Sequence, residues 1–205
     1  MTNDPVGLNR GKRKMTKGLA AAVLLTAFLT GTAAAQPSGK MLGDTCAGCH
    51  GTLGASAGLA MPTLAGMPDD FIRLAMREFR DGQRYSTIMG RIAKGYTDGD
   101  IDAMAAYFSR QPWQRARQEA DERLAAAGKR IHHKKCEACH RDNGTSTDLD
   151  MPRLAGQWRT YLDLMMIQAR NPKRGFHQSP DMKTVMERLT EQDLAALANF
   201  YVSQQ

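Results

Sequence analysis

The chain has 205 residues, of which 42% are hydrophobic, 24% are charged and 8 are proline. That composition belongs to a folded soluble protein and excludes disorder or a collagen-like rod. The formal net charge is +7, but its distribution matters more than its sum, because basic residues crowd the N-terminus.

Residues 1–35 carry the charged, apolar, small-residue order of a secretory leader: Arg10, Lys12, Arg13, Lys14 and Lys17, then an apolar run from Leu19 to Leu29, then Thr32-Ala33-Ala34-Ala35. The apolar run is well short of the roughly 20 residues needed to cross a bilayer as a helix. The expectation is a leader cut after Ala35 and a periplasmic product, with no permanent membrane span. The residues before Met15 add nothing such a leader needs, so Met15 is an alternative start. Cleavage removes five basic residues and Asp4, which leaves positions 36–205 at a net charge of +3. With no basic run there longer than Lys134-Lys135, nucleic-acid binding is set aside.

All four cysteines fall in two copies of one pattern, Cys46-Ala47-Gly48-Cys49-His50 and Cys136-Glu137-Ala138-Cys139-His140. At this composition a single copy should arise by chance about 0.002 times. The pattern reads as covalent c-type haem attachment. Two thiols about one helical turn apart can add to the two vinyl groups of one haem, which brings the adjacent His under the iron as proximal ligand. Structural disulfides leave the two histidines unexplained. A thioredoxin-like pair wants a βαβ pattern that is absent. Zinc wants the four cysteines on one site, although the two pairs stand far apart in separate repeats.

The predicted elements are helical throughout, with no convincing strand alternation. The first helix, Lys40 to Cys46, leads into the first motif. The second runs from Asp69 to Arg80, with Phe71, Leu74, Ala75, Met76 and Phe79 at helical spacing and Gly82 as a stop. A third starts at the N-cap Thr97, with an acid three positions on, and Pro112 terminates what precedes it. The second half repeats the scheme: a longer helix from Arg117 to Lys135, one from Arg159 to Arg170 ended by Asn171-Pro172, and a last one capped by Thr190. The displacement that lays Cys46 on Cys136 also lays Met61-Pro62-Thr63-Leu64-Ala65-Gly66 on Met151-Pro152-Arg153-Leu154-Ala155-Gly156. A displacement three positions longer lays Thr97-Asp98-Gly99-Asp100 on Thr190-Glu191-Gln192-Asp193. The fold class is therefore all-α, with domains at 36–112 and 113–205, each too small for more than a marginal core of its own.

Haem iron takes a sixth ligand or keeps an open position, and the difference separates electron transfer from catalysis. Met89 lies in a loop-like stretch ahead of Asp100, and Met182 stands at the same distance ahead of Asp193. Met186 and His177 are the rivals of Met182. Met76, Met104, Met165 and Met166 read as helix packing, Met61 and Met151 as packing near haem edges, and His132 and His133 as solvent-facing. Pro62 and Pro152 each occupy the twelfth position after the proximal His. A carbonyl there could accept the His Nδ1–H and leave Nε2 for iron.

The attachment motif, Pro at the twelfth position and Met before a terminal helix together resemble class I cytochrome c domains, twice in tandem, over Gln36 to Gln205. Tandem pairs occur in the diheme cytochrome c carriers and in the cytochrome subunits of flavocytochrome c sulfide dehydrogenases. Ser86-Thr87-Ile88-Met89-Gly90-Arg91-Ile92-Ala93-Lys94-Gly95-Tyr96, Leu154-Ala155-Gly156-Gln157-Trp158 with Tyr161-Leu162, and the ending Phe200-Tyr201-Val202-Ser203-Gln204-Gln205 look closer to the latter. The approach to Met182, Lys173-Arg174-Gly175-Phe176-His177-Gln178-Ser179-Pro180, does not match that pattern. The resemblance implies two covalent haems, ligated by His50 with Met89 and by His140 with Met182. It also implies a flavoprotein partner that oxidises sulfide at an FAD and a redox disulfide, and a soluble cytochrome c as acceptor. A His/Met iron leaves no open position, so the chain itself would not be an enzyme. A docking patch for the flavoprotein is expected around Tyr85, Ile88 and Tyr96, residues that equally suit haem-pocket packing. The alternatives are a free-standing carrier feeding a terminal oxidase and a diheme peroxidase.

Overall fold

Each half of the chain presents four principal helices in the same order. In the computed structural model, which describes residues 36–148, 151–171, 173 and 175–204, the first half holds α1 (Gly39–His50), α2 (Asp69–Arg80), α3 (Met89–Ile92) and α4 (Asp98–Ser109). The second half holds α5 (Glu122–Lys135), α6 (Arg159–Arg170), α7 (Pro180–Glu187) and α8 (Glu191–Ser203). No strand occurs among the described residues. The expected leader, residues 1–35, lies outside them, as do Pro172, Arg174 and Gln205.

Local chemistry sets the helix ends. Ser38 Oγ accepts the Met41 N–H at 3.2 Å to open α1. With no proline or capping residue in its way, the helix runs past the expected end at Cys46 as far as His50, where Gly51 turns out at φ 75°. Thr97 with Asp100 and Thr190 with Asp193 form reciprocal capping boxes at the starts of α4 and α8. The helix expected from Arg117 begins only at Glu122, because the Asp121 carboxylate caps the Arg123 and Leu124 N–H groups at 2.9 and 3.0 Å. Residues before it form a strap against the second half. Ala116 N–H donates to Gly156 O (2.8 Å), and the Gln118 amide bonds both Gln157 O and the Arg159 N–H (2.7 and 2.9 Å).

The internal repeat extends to backbone detail. Gly54 O accepts the Leu64 and Ala65 N–H groups, as Gly144 O accepts those of Leu154 and Ala155, and Gly66 N–H bonds Phe108 O as Gly156 N–H bonds Tyr201 O. Leu53 and Asn143, at the third position after each motif histidine, take the left-handed conformation at φ 58°. Each half has its own core. Leu42, Ile72, Ile101, Met104, Tyr107 and Phe108 build the first; Leu162, Leu189, Leu194, Leu197, Phe200 and Tyr201 build the second. In each, the leading helix crosses the terminal one at glycine. A Cβ on Gly39 would stand 2.3 Å from Ala103 O, and one on Gly128 would stand 2.1 Å from Ala196 O.

The halves differ where the second helix meets the terminal one. Arg73, Arg77 and Arg80 on α2 bind Asp69, Asp98 and Asp102 in an ionic lattice at 2.8–3.4 Å. At the repeat-related positions the second half has Asp163, Ile167 and Arg170 opposite Glu191 and Ala195. These residues line an open groove of about 860 Å³ between α6 and α8.

Candidate haem sites

No disulfide joins the four cysteines; Cys46 and Cys136 are half-buried and Cys49 and Cys139 exposed. The first motif forms the last turns of α1. Burial raises the Cys46 thiol pKa, against a hydrogen bond from Thr45. His50 is 7% exposed, and its Nδ1 lies 2.9 Å from Pro62 O. Burial lowers the pKa of His50, with the Pro62 bond opposing the shift. A neutral ring that donates Nδ1–H to a carbonyl keeps the Nε2 lone pair for a metal. The carbonyl expected at the twelfth position after the histidine is therefore present in the first half.

The second motif is built differently. α5 stops at Lys135, so Cys136 to His140 follow in a turn, with Cys136 at φ −121° and His140 at φ −94°, ψ 66°. From that backbone the His140 ring does not meet the Pro152 carbonyl, and its Nδ1 is buried without a hydrogen-bond partner among the described residues. Burial, reinforced by His132, lowers its pKa to about 4. It too is a neutral imidazole near pH 7. The expected symmetry of the two histidine supports is thus corrected: one is made and the other is not.

The expectation of a solvent-facing His132 is also corrected. The residue is fully buried, because the turn after α5 folds Glu137 back onto its Nε2 while Tyr201 Oη reaches its Nδ1 at 3.0 Å. Cys136 packs against the core that holds Tyr201, and a polar chain links Glu137, His132 and Tyr201. His133 is exposed as expected. The signal in the sequence is Glu137 inside the motif, at a spacing from His132 that a continuing helix would carry past contact.

Met89 is half-buried and opens α3, so the loop expected around it is a helical turn. Met182 is half-buried in the first turn of α7, where Ser179 Oγ caps its N–H at 3.2 Å. Its rival Met186 is drawn into the second core at 7% exposure. His177 is exposed, with its backbone N–H on Glu78 Oε1 at 2.9 Å. Tyr96 packs against the first core and bonds Thr45 Oγ1 at 3.0 Å, whereas Tyr85, Ile88 and Ile92 near Met89 are exposed.

These residues fit haem. Each motif pairs two cysteines outside any disulfide with a neutral imidazole, and in the first half the apolar Leu53, Leu59, Ile88 and Ile92 are 42–62% exposed. A flat apolar group tethered there would cover such surface. Among the described residues no three His, Cys, Asp or Glu side chains converge as a metal cluster, which is the opposite of what a shared zinc site needs.

The boundary between the halves carries buried polar contacts. The Gln157 amide is fully buried, accepts the Thr63 N–H at 3.1 Å and donates to Thr63 O at 2.8 Å. Trp158 Nε1 donates to Ser56 O at 3.1 Å. Arg84 stacks on Phe79 and Phe176 with ring centroids at 4.9 and 4.8 Å, with Glu78 4.0 Å away.

The sequence profile of the family described as Cytochrome c matches residues 38–111 and 125–205. The cytochrome subunit of sulfide dehydrogenase from Chlorobaculum tepidum is 43% identical over 102 residues, covering 44% of this chain and 92% of that protein. Cytochrome c4 from Pseudomonas aeruginosa is 28% identical over 195 residues, covering 89% of this chain and 96% of the relative. Among solved structures, reduced recombinant cytochrome c4 from Pseudomonas stutzeri superposes with a TM-score of 0.74 at 26% identity, covering 82% of this chain and 97% of the other.

Proposed function

The chain belongs to the cytochrome c family, and from that premise we propose that it is the diheme electron-transfer subunit of a periplasmic sulfide-oxidising complex. It takes electrons from an FAD-containing flavoprotein and passes them to a soluble cytochrome c. The carrying observation is the pair of attachment motifs, each ending in a neutral imidazole shielded from solvent, held in one compact unit. Cys46 and Cys49 hold one haem, with His50 and Met89 as iron ligands. Cys136 and Cys139 hold the other, with His140 and Met182. When bound, the haem supplies reversible one-electron exchange, and Met ligation raises its potential.

The protein's own residues then have three tasks. The cysteines would tether the haem, the histidines would offer Nε2 to its iron and the methionine sulfurs would take the remaining ligand place, so catalysis would fall to the partner. The 43% identity to a sulfide dehydrogenase subunit favours the flavoprotein reading. That likeness covers less than half of the chain, whereas cytochrome c4 is matched along most of it. A free-standing carrier feeding a terminal oxidase is therefore the second reading.

Purification of the native protein from its periplasm, with mass analysis and a visible spectrum, tests both. The expected result is two attached haems, the long-wavelength band of Met–iron ligation and a copurifying flavin. Two haems without flavin, and reduction by a quinol-oxidising complex, would select the carrier. Fewer than two attached haems would overturn both.

A further inference from the structure

The fully buried Gln157 is not part of either motif, yet its amide spends both of its hydrogen-bonding functions on one residue of the other half. Thr63 N–H donates to its Oε1 at 3.1 Å, and its Nε2 donates to Thr63 O at 2.8 Å. Thr63 is itself 1% exposed and directly follows Pro62, whose carbonyl faces His50 Nδ1 at 2.9 Å. Gln157 is in turn held from behind, because Gln118 donates to its backbone carbonyl at 2.7 Å.

The arrangement is one-sided. The displacement that relates the two motifs places Met67 opposite Gln157, and Met67 lies in the first core and has no amide. The residue related to Thr63 is Arg153, whose guanidinium stacks over Trp113 at 4.9 Å. One proximal histidine has its carbonyl partner, and the other, carried on the turn after α5, has none among the described residues.

We propose that Gln157 is a positioning residue: it clamps the Pro62–Thr63 peptide from the second half, fixes the hydrogen bond to His50, and so makes the two haem sites unequal. This rests on the reading of His50 as an iron ligand. A carbonyl held on Nδ1–H makes the imidazole a stronger donor, which favours the oxidised iron. The first site is then the lower-potential one, on the side where electrons enter if the flavoprotein docks near Met89. Removal of the clamp lets the carbonyl drift and raises the potential of the first site alone.

The test uses the purified diheme protein and its Gln157→Leu and Gln157→Glu variants. Mass analysis of the unsubstituted protein comes first, since fewer than two attached haems would sink the underlying reading before the clamp is examined. Redox titration followed in the visible spectrum, with each haem assigned by NMR, then reads the clamp. In Gln157→Leu the reduced-to-oxidised ratio of the first haem at fixed ambient potential should rise about threefold, or about 28 mV at about 59 mV per decade. Hydrogen exchange of the His50 Nδ1–H should accelerate while the second haem is unmoved. Gln157→Glu keeps the acceptor for Thr63 N–H and should shift less. Equal shifts at both haems, or unchanged potentials with unchanged exchange at His50, would overturn the proposal.

Discussion

Replacement of Arg84 by Met tests whether the boundary between the halves stabilises the fold or merely fills space. The Arg84 and Glu78 side chains are each 6% exposed and 4.0 Å apart. The guanidinium is stacked with Phe79 of the first half and Phe176 of the second and reaches Met165 Sδ at 3.5 Å. Glu78 Oε1 also accepts the His177 N–H, so the pair ties α2 to the segment before α7. Arg84→Met leaves the carboxylate buried without its cation, for which breaking one side of a buried pair costs about 3–5 kcal/mol. The lost cation–π contacts contribute about 1 kcal/mol each and overlap with that figure. We expect a loss of about 4 kcal/mol in urea unfolding, and we expect the transition to broaden towards two because the contacts removed are among those that couple the halves, while Gln157–Thr63 and Trp158–Ser56 remain. The double variant Arg84→Met with Glu78→Gln keeps an acceptor for His177 while removing the stranded charge, and should recover about half of the loss. A loss under about 1 kcal/mol in Arg84→Met, with one transition retained, would refute the reasoning.

Two further outcomes follow from the packing. Gly128→Ala puts a Cβ 2.1 Å from Ala196 O, a backbone atom that cannot yield without moving α8; the second half should lose about 1–3 kcal/mol in thermal melts followed by circular dichroism. The pKa of His132 is lowered by burial, with the Glu137 carboxylate opposing that shift. The unfolded chain therefore binds a proton below pH 6.5 that the folded chain takes up only at lower pH, and stability falls as pH drops through that window. His132→Gln should flatten that part of the stability-against-pH profile, measured by denaturant unfolding at about pH 7 and about pH 5.

Much of the architecture was legible because it depends on neighbours in the chain. The boundaries of α2 and α6 and the caps of α4 and α8 agree with the sequence reading, since amphipathic spacing and Thr-x-x-Asp act within a few residues. The duplicated motifs and the Pro62 carbonyl could be read for the same reason. Where α5 begins could not be, because residues 113–121 bond to groups far along the chain in the second half.

The sequence by itself determined two helical repeats, each with a thiol pair and an imidazole at one spacing, because that information is local and repeated. Only the tertiary structure decided that the repeats are unequal. It buried His132 against Tyr201, drew Met186 into the second core while leaving Met182 at its edge, and set Gln157 of one half on Thr63 of the other. Such contacts join residues 69 and 94 positions apart, and their partners follow from how helices cross, which no short-range pattern encodes.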